Sequence, residues 1–436
     1  MQKYWNKNIG WLWIVILAGI PVLLWFLGTR YPSDSAFVSA MAYIGQVTAL
    51  VGTALFALSI IMSGRFRWLE KIFAGLNEVY VNHHKIGQVA LVLLLAHPIF
   101  LIGKYSGGTW AGAAQFLLPG QDMAKTLGFY GLALMLLALI LTLYLSLAMK
   151  YNVWKFTHKF LGIAFVIASL HIWFIPSDTS RNLPLRYYML TLSVIAIVVF
   201  VYHSLLHKYL VPQTKYVVKN LRRLNDTLVE IEMSAVNKKL NYQAGQFSFF
   251  SFQDDQVGTE SHPFTISSSP KEENLFITVK NLGDYTANIS KVKFGAEVLI
   301  QGPFGAFSYK KIPNKKQVWI AGGIGVTPFL SMLKDFDPSD DYQIDFYYCV
   351  RNKEELFDVE KIKDVAVKVN NKIKVTFYLS VESGRFDINK LDQLSGVTKD
   401  KDYLICAPKP MIESLRQCLM QKGIELNNIH SEEFGL

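Results

Sequence analysis

His83-His-Lys-Ile-Gly-Gln-Val-Ala-Leu-Val-Leu-Leu-Leu-Ala-His97 sets histidines at both ends of one apolar stretch. On a helix, His83 and His97 stand ~21 Å apart along the axis and only ~40° apart around it. Ionisable residues are costly inside a bilayer and face a bundle interior beside a partner or ligand. The stretch therefore reads as a membrane helix turning two imidazoles inward at different depths. His84 competes for the first position. His83 is preferred because it shares the face of His97, and because His83-x-x-x-Gly87 echoes His158-x-x-x-Gly162.

The echo leads to a second pair. His158 and His171 are separated similarly along the axis but lie ~140° apart around an ideal helix, so a local distortion near Gly162 is needed to align them. Paired by depth, His83 with His158 and His97 with His171, the four make two stacked sites. Bis-imidazole coordination of haem fits such a bundle. One isolated pair would read as a polar network; two similarly spaced pairs in neighbouring helices favour ligation.

Further outward, six apolar runs near 11–28, 39–62, 83–103, 127–149, 156–175 and 187–208 are each long enough to cross a ~30 Å hydrocarbon core. The first lacks a small-residue cleavage site and reads as a span, not a signal peptide. The composition of the 436 residues agrees, with 51% hydrophobic and 18% charged. A formal charge of +10 invites a nucleic-acid reading, yet residues 1–210 hold 15 Lys+Arg against 5 Asp+Glu, while 211–436 hold 29 of each. The excess belongs to the apolar half. Lys3, Lys7, Arg65, Arg67, Lys71, Lys150, Lys155, Lys208 and Lys215 outweigh Arg30, Lys104, Lys125, Arg181 and Arg186 on the other side. This bias puts both termini, and the second half of the chain, in the cytoplasm of a six-span protein of the cell membrane. The low charge density excludes nucleic-acid binding, 14% aromatic content excludes disorder, and three cysteines exclude a disulfide scaffold.

In the second half, alternating segments at Thr227–Met233, Gln246–Phe252, Leu275–Val279 and Glu297–Ile300 suggest a small antiparallel barrel over 211–312. From Gln317 the order becomes strand, glycine-rich turn, helix and strand (Ile344–Val350), the alternation of a doubly wound α/β domain over 313–436.

Four motifs occur in order: His262-Pro-Phe-Thr-Ile-Ser-Ser, Val279-Lys-Asn-Leu-Gly-Asp-Tyr-Thr286, Gly302-Pro-Phe-Gly305 and Ala321-Gly-Gly-Ile-Gly-Val-Thr-Pro328. Together they resemble the ferredoxin–NADP reductase superfamily, most closely the NADPH oxidase/ferric reductase branch fused to a six-span haem domain. The resemblance implies that His262, Pro263, Phe264 and Thr265 lie along a flavin, with the Thr265 hydroxyl bonding its ring. Lys280 stands where the family more often has Arg. With Gly283, Asp284, Tyr285 and Thr286 it would face the FAD pyrophosphate at a helix start, and Gly302 completes the flavin set. Gly322, Gly323 and Gly325 let the backbone approach a nucleotide phosphate, and Thr327 and Pro328 match the nicotinamide motif. Arg351 ends the next strand, where the family reads the adenosine ribose, and Arg385 is a second candidate. Either guanidinium can clamp a 2′-phosphate, so NADPH is expected over NADH. Cys406-Ala-Pro408 resembles the family's Cys-Gly-Pro, which puts the Cys406 thiol near the nicotinamide. Phe434 is expected to stack on the isoalloxazine and move aside for nicotinamide.

What the resemblance implies is a transmembrane electron wire, from NADPH through FAD and two b-type haems to an acceptor on the far side. Phe165, between the span-five histidines, is a candidate bridge or an ordinary core or lipid-facing residue. Oxygen, giving superoxide, is the first acceptor and a ferric chelate the second. Animal oxidases have a polar residue where this chain has Leu101, which weighs against oxygen, but no extracellular His/Met/Cys cluster suggests a bound metal acceptor. The intact nicotinamide and flavin motifs argue against a passive relay, and no obligate protein partner is expected.

Overall fold

A computed structural model describes residues 9–28, 35–105, 109–120, 122–148, 151–206, 210–337, 339–369 and 372–433. Phe434 lies outside these residues, as do Lys3, Lys7, Arg30, Lys150 and Lys208. The chain divides into two units, one of Met1–Ala74 with Glu78–Leu210 and one of Gly75–Asn77 with Val211–Leu436.

Six helices of the first unit are long and apolar enough to cross a membrane: Ile9–Leu27, Ala36–Met62, Leu76–Lys104, Met123–Thr142, Val153–Phe174 and Leu183–Leu206. The third begins seven residues before the sequence expectation. The expected 63–82 loop is instead a short helix, Arg67–Phe73, followed by the extended start of span three. Span two is the most enclosed of the six. In lipid, helices gain little from burying apolar surface against each other, so close packing depends on small residues. Span two supplies them. A Cβ on Gly45 would stand 3.0 Å from Leu101, and one on Gly52 3.0 Å from Leu94. Apolar side chains such as Phe26, Val92, Ile99 and Val198 are left on the outer faces.

The distortion expected in span five is present, slightly earlier than Gly162. The helix runs Tyr151–His158, breaks at Lys159, and resumes as Phe160–Phe174. The Lys159 N–H bonds to the Phe156 carbonyl at 3.1 Å and the Gly162 N–H to the Lys159 carbonyl at 3.0 Å. These i→i+3 bonds are of 3₁₀ type, and each 3₁₀ step turns ~120° rather than ~100°. Overwinding therefore carries His171 back toward the face of His158. Phe165 lies in the core at 1% exposure, edge-on to Phe56.

In the second unit, β1 (Thr214–Arg223), β2 (Leu228–Ala235), β3 (Phe247–Gln253), β4 (Ser261–Thr265), β5 (Leu275–Lys280) and β6 (Glu297–Phe304) form an antiparallel sheet in the order β4-β3-β6-β1-β2-β5. An Ile266–Ile277 bridge joins its edges, closing the barrel around Ile231, Met233, Phe250, Phe252, Ile277, Val298 and Ile300. Sequence alternation found four of these strands. It missed β1, where few side chains point inward, and β4, which contains Pro263. A proline lacks the N–H for a ladder bond, and β4 lies at the edge of the hydrogen-bonded order, where that is tolerated.

The remaining strands are β7 (Lys316–Gly322), β8 (Gln343–Val350), β9 (Ile373–Leu379), β10 (Asp402–Cys406) and β11 (Ile429–Glu432), parallel in the order β11-β10-β7-β8-β9. Both faces are covered: Trp319, Phe346 and Leu404 pack in one core, Val318, Ile320, Tyr347 and Ile405 in the other. Two-sided burial explains why these strands read as unbroken apolar runs. The order reverses between β7 and β10, and ligands of such sheets bind beyond the strand carboxyl ends at that point.

Candidate functional site

Among the membrane histidines, His83 and His158 face each other with ring centres 6.2 Å apart and planes at 66°. His84 is exposed and its Nε2 meets Gln88 one turn along its own helix at 3.0 Å. Facing thus separates the two neighbours, and His83 is the inward one. His171 lies within electrostatic reach of His97. Three of the four imidazoles are held in the same way. Nδ1 of His83 meets the Ser59 carbonyl at 2.8 Å, that of His97 the Gly45 carbonyl at 2.7 Å, and that of His171 the Ala124 carbonyl at 2.7 Å. A carbonyl only accepts, so Nδ1 carries the proton in each and Nε2 keeps its lone pair. This is the supporting bond that metal-ligating histidines characteristically make. His158 differs: its Nδ1 is buried without a hydrogen-bond partner among the described residues.

His83 and His158, with rings 6.2 Å apart and the Nε2 of His83 left with its lone pair, have the donor chemistry that would hold a haem between them.

The second unit carries a cleft at the barrel face, lined by Pro263, Phe264, Thr265, Lys280, Thr286, Ile324, Thr327 and Glu432 among others. Thr265 is buried, and its hydroxyl has no hydrogen-bond partner among the described residues. The Lys280 ammonium makes no ion pair among them either. An unused donor and an unpaired cation in one cleft suit a polar, anionic ligand such as a flavin dinucleotide.

His262 also lines the cleft. Its ring stacks on Tyr285 at 3.7 Å, and its Nε2 meets Glu260 at 2.9 Å. Burial, reinforced by Glu260, pushes the Tyr285 phenol well above its ordinary range, so the stack is neutral on the tyrosine side. His262 thereby ties β4 to the short helix α1 (Asp284–Asn288). The N–H groups of Leu282 and Gly283 both bond to the Thr286 hydroxyl at 2.9 Å, and that of Tyr285 to Asp284 at 2.8 Å. The N–H groups of Leu282, Gly283 and Tyr285 are thus satisfied within the turn. A Cβ on Gly302 would stand 2.3 Å from the Ser248 hydroxyl, so this glycine permits close packing against β3.

Past β7, Gly323 has φ +56 and opens helix α2 (Thr327–Asp335), with Pro328 in its first turn. Gly322 and Gly325 press against the end of β10: their Cβ atoms would stand 2.8 Å from Ala407 and 2.1 Å from the Cys406 carbonyl oxygen. Cys406 is fully buried, and burial first, then Glu432, pushes its thiol well up, so it is a neutral thiol and no thiolate. Arg351 follows β8, and its carbonyl accepts from the Val381 N–H at 3.1 Å, which draws the segment leading to Arg385 to the same sheet edge.

Sequence reasoning passed over Glu432 as a site residue. It lines the cleft opposite Cys406 in the β10–β11 register. Burial, against the opposing pull of Lys311, raises its carboxyl to about 8, so at neutral pH it holds a proton beside the cleft. Glu260 and the carbonyls of Gly45, Ser59 and Ala124 were missed too; a backbone acceptor leaves no signal in residue type.

Fold and site together define a membrane-anchored oxidoreductase with FAD- and NAD(P)-binding domains. Residues 48–169 match the ferric reductase like transmembrane component, 213–308 the FAD-binding domain, and 319–417 the oxidoreductase NAD-binding domain. These three in this order match the domain arrangement of the ferric reductase/NADPH oxidase-like family. Among curated proteins it is similar to the glycine betaine monooxygenase reductase subunit of Chromohalobacter salexigens, 24% identical over 44% of this chain and 56% of the relative. It is also similar to the carnitine monooxygenase reductase subunit of Escherichia coli, 28% identical over 40% and 54%. The chain thus spans about half the length of the curated relatives it matches. In fold it resembles the flavohemoglobin of Malassezia yamatoensis, with TM-score 0.53 and 17% identity over 92% of this chain and 99% of that one.

Proposed function

We propose that the protein is a transmembrane NADPH oxidase that carries electrons from cytosolic NADPH to oxygen on the opposite face of the cell membrane. One NADPH reduces two oxygen molecules to two superoxide anions, with NADP+ and one proton left on the cytosolic side. The observation that carries this reading is the set of inward imidazoles, three with Nδ1 pinned to a backbone carbonyl and Nε2 left as a lone-pair donor.

Haem and FAD, when bound, supply one-electron carriage and hydride acceptance, which the side chains lack. His83 and His158 would hold the inner haem, His97 and His171 the outer. Thr265 and Lys280 would hold the flavin, Pro263 and Phe264 would exclude water from it, and Tyr285 would be fixed by His262. Gly322, Gly323, Gly325 and Thr327 would admit the nicotinamide nucleotide to the β7–β10 switch point. Glu432, protonated at neutral pH, can exchange a proton at the cleft. Arg351 and Arg385 would favour NADPH, so Arg351→Ala should raise the Michaelis constant for NADPH far more than for NADH.

A ferric-chelate reductase with the same path is the second reading, and the packing of apolar Leu101 beside Gly45 favours it. The test uses purified protein with FAD and NADPH. Anaerobic reduction of two b-type haems is expected, then superoxide dismutase-sensitive reduction of cytochrome c in air. Dismutase-insensitive reduction with faster turnover on ferric citrate would select the second reading. Absence of haem would eliminate both.

A further inference from the structure

The four membrane histidines are not held alike, and the exception has a substitute. His83, His97 and His171 each fix ring rotation by donating Nδ1–H to a carbonyl of another span. His158 has no such acceptor among the described residues, and its Nδ1 is buried. It ends its helical segment, immediately before the Lys159 break, where the backbone constrains it least. What contacts its ring instead is the Trp154 indole, one turn earlier, stacked at 5.3 Å between centres with planes 20° apart. Residues four apart on a helix share a face, so this contact is local and needs no other element.

We propose that Trp154 is the positioning residue of the inner haem ligand, holding the His158 plane by stacking where the other three ligands use a hydrogen bond. The inference rests on the haem reading above. Two consequences follow from ligand chemistry. A supporting bond at Nδ1 raises the basicity of an imidazole ligand; His158 lacks it, so the inner site pairs one supported and one unsupported imidazole while the outer pairs two supported ones. The two sites are therefore electronically distinct. Trp154 also sets the angle between the inner ring planes, 66° between His83 and His158, and the anisotropy of a low-spin ferric bis-imidazole centre depends on that angle.

The experiment is low-temperature electron paramagnetic resonance of the oxidised, haem-loaded full-length protein, with haem content measured in parallel. Wild type should show two low-spin signals. In Trp154→Leu one signal should move or be lost while the other stays, and the surviving signal shows that the bundle is folded. Trp154→Phe, which keeps a stacking ring, should restore the moved signal most of the way. If Trp154→Leu yields no folded protein, Trp154→Phe alone decides, because its smaller overlap should displace the same signal slightly. Two unmoved signals in the folded variants would overturn the role of Trp154 and leave the haem reading intact. A wild type with no haem would instead remove the haem reading itself.

Discussion

Replacing Gly325 by alanine tests the nucleotide turn where its geometry is tightest. The new Cβ would stand 2.1 Å from the Cys406 oxygen, 2.7 Å from its carbonyl carbon and 3.2 Å from the Ala407 nitrogen. The first of these is more than an ångström inside ordinary contact. All three are backbone atoms, and β7 and β10 are paired neighbours with Ala321 opposite Cys406, so no rotamer change relieves the clash. Overpacking costs about 1–3 kcal/mol, and rigid surroundings place this case near the upper end. If the turn moves, about 3 kcal/mol becomes roughly a 100-fold weaker NADPH interaction. If the cost falls on the domain, melting drops by roughly 6–12 °C for a unit of this size. Gly323 is the internal control. A Cβ there meets nothing within 4 Å, but its φ is +56, so Gly323→Ala should cost only about 1 kcal/mol. Asparagine, which tolerates that conformation, should be milder than alanine at 323 and worse than alanine at 325. The assay pairs NADPH kinetics with thermal unfolding of FAD-loaded protein. The reasoning is refuted if Gly325→Ala keeps its Michaelis constant within twofold and its melting temperature within a degree, or if Gly323→Ala is the more damaged variant.

Thr265→Val should weaken FAD binding about 3- to 10-fold, one net hydrogen bond, while the flavin-free protein keeps or gains stability because a buried unpaired hydroxyl is removed; calorimetric titration and melting curves read the two effects. Glu432 has a folded-state pKa of about 8, above its ordinary 4.5, so its contribution is full below pH 4.5 and lost as pH rises through 8. Stability should fall across that window by an amount on the order of 5 kcal/mol, and melting of Glu432→Gln should lose this slope. Arg222, half-exposed, bonds buried Glu230 at 2.9 Å and buried Asp358 at 3.4 Å. It links the barrel to the nucleotide domain, so Arg222→Ala should cost about 1–3 kcal/mol by leaving those carboxylates less satisfied, visible as a lower melting temperature.

What the sequence made legible follows from how many residues each constraint involves. A bilayer demands twenty apolar residues in a row, so six spans stand out, and a sheet buried on both faces makes Val318–Ala321 and Ile344–Val350 equally plain. β1 was hidden because only Tyr216 and Val218 are buried on it, among four Lys and Arg. Helical angles gave the need for a distortion in span five, and Gly162 marked its neighbourhood; the break itself falls at Lys159, whose carbonyl accepts from the Gly162 N–H. At the site, the family resemblance pointed to Thr265 and Lys280. For Gly302 the sequence could not show the approach of Ser248, because the same residue type serves strand packing and cofactor approach. Glu432 stands two residues before Phe434, yet its proton depends on burial that the sequence does not state.

The carbonyl acceptors connect the membrane chemistry to the charge distribution. An imidazolium in hydrocarbon is costly, so histidines there are best fixed as neutral rings without adding a counter-charge. A backbone carbonyl does this: it orients the ring, selects the tautomer and remains neutral. The acceptor must be reachable, though, and a side chain on the same residue would shield it. Gly45 meets that need, accepting from Thr48 at 2.9 Å and from His97 at 2.7 Å, with no room for a Cβ beside Leu101. The same glycine that lets span two sit against span three thus exposes the acceptor for His97. Neutral support of this kind adds no charge of its own to the net +10 carried by residues 1–210.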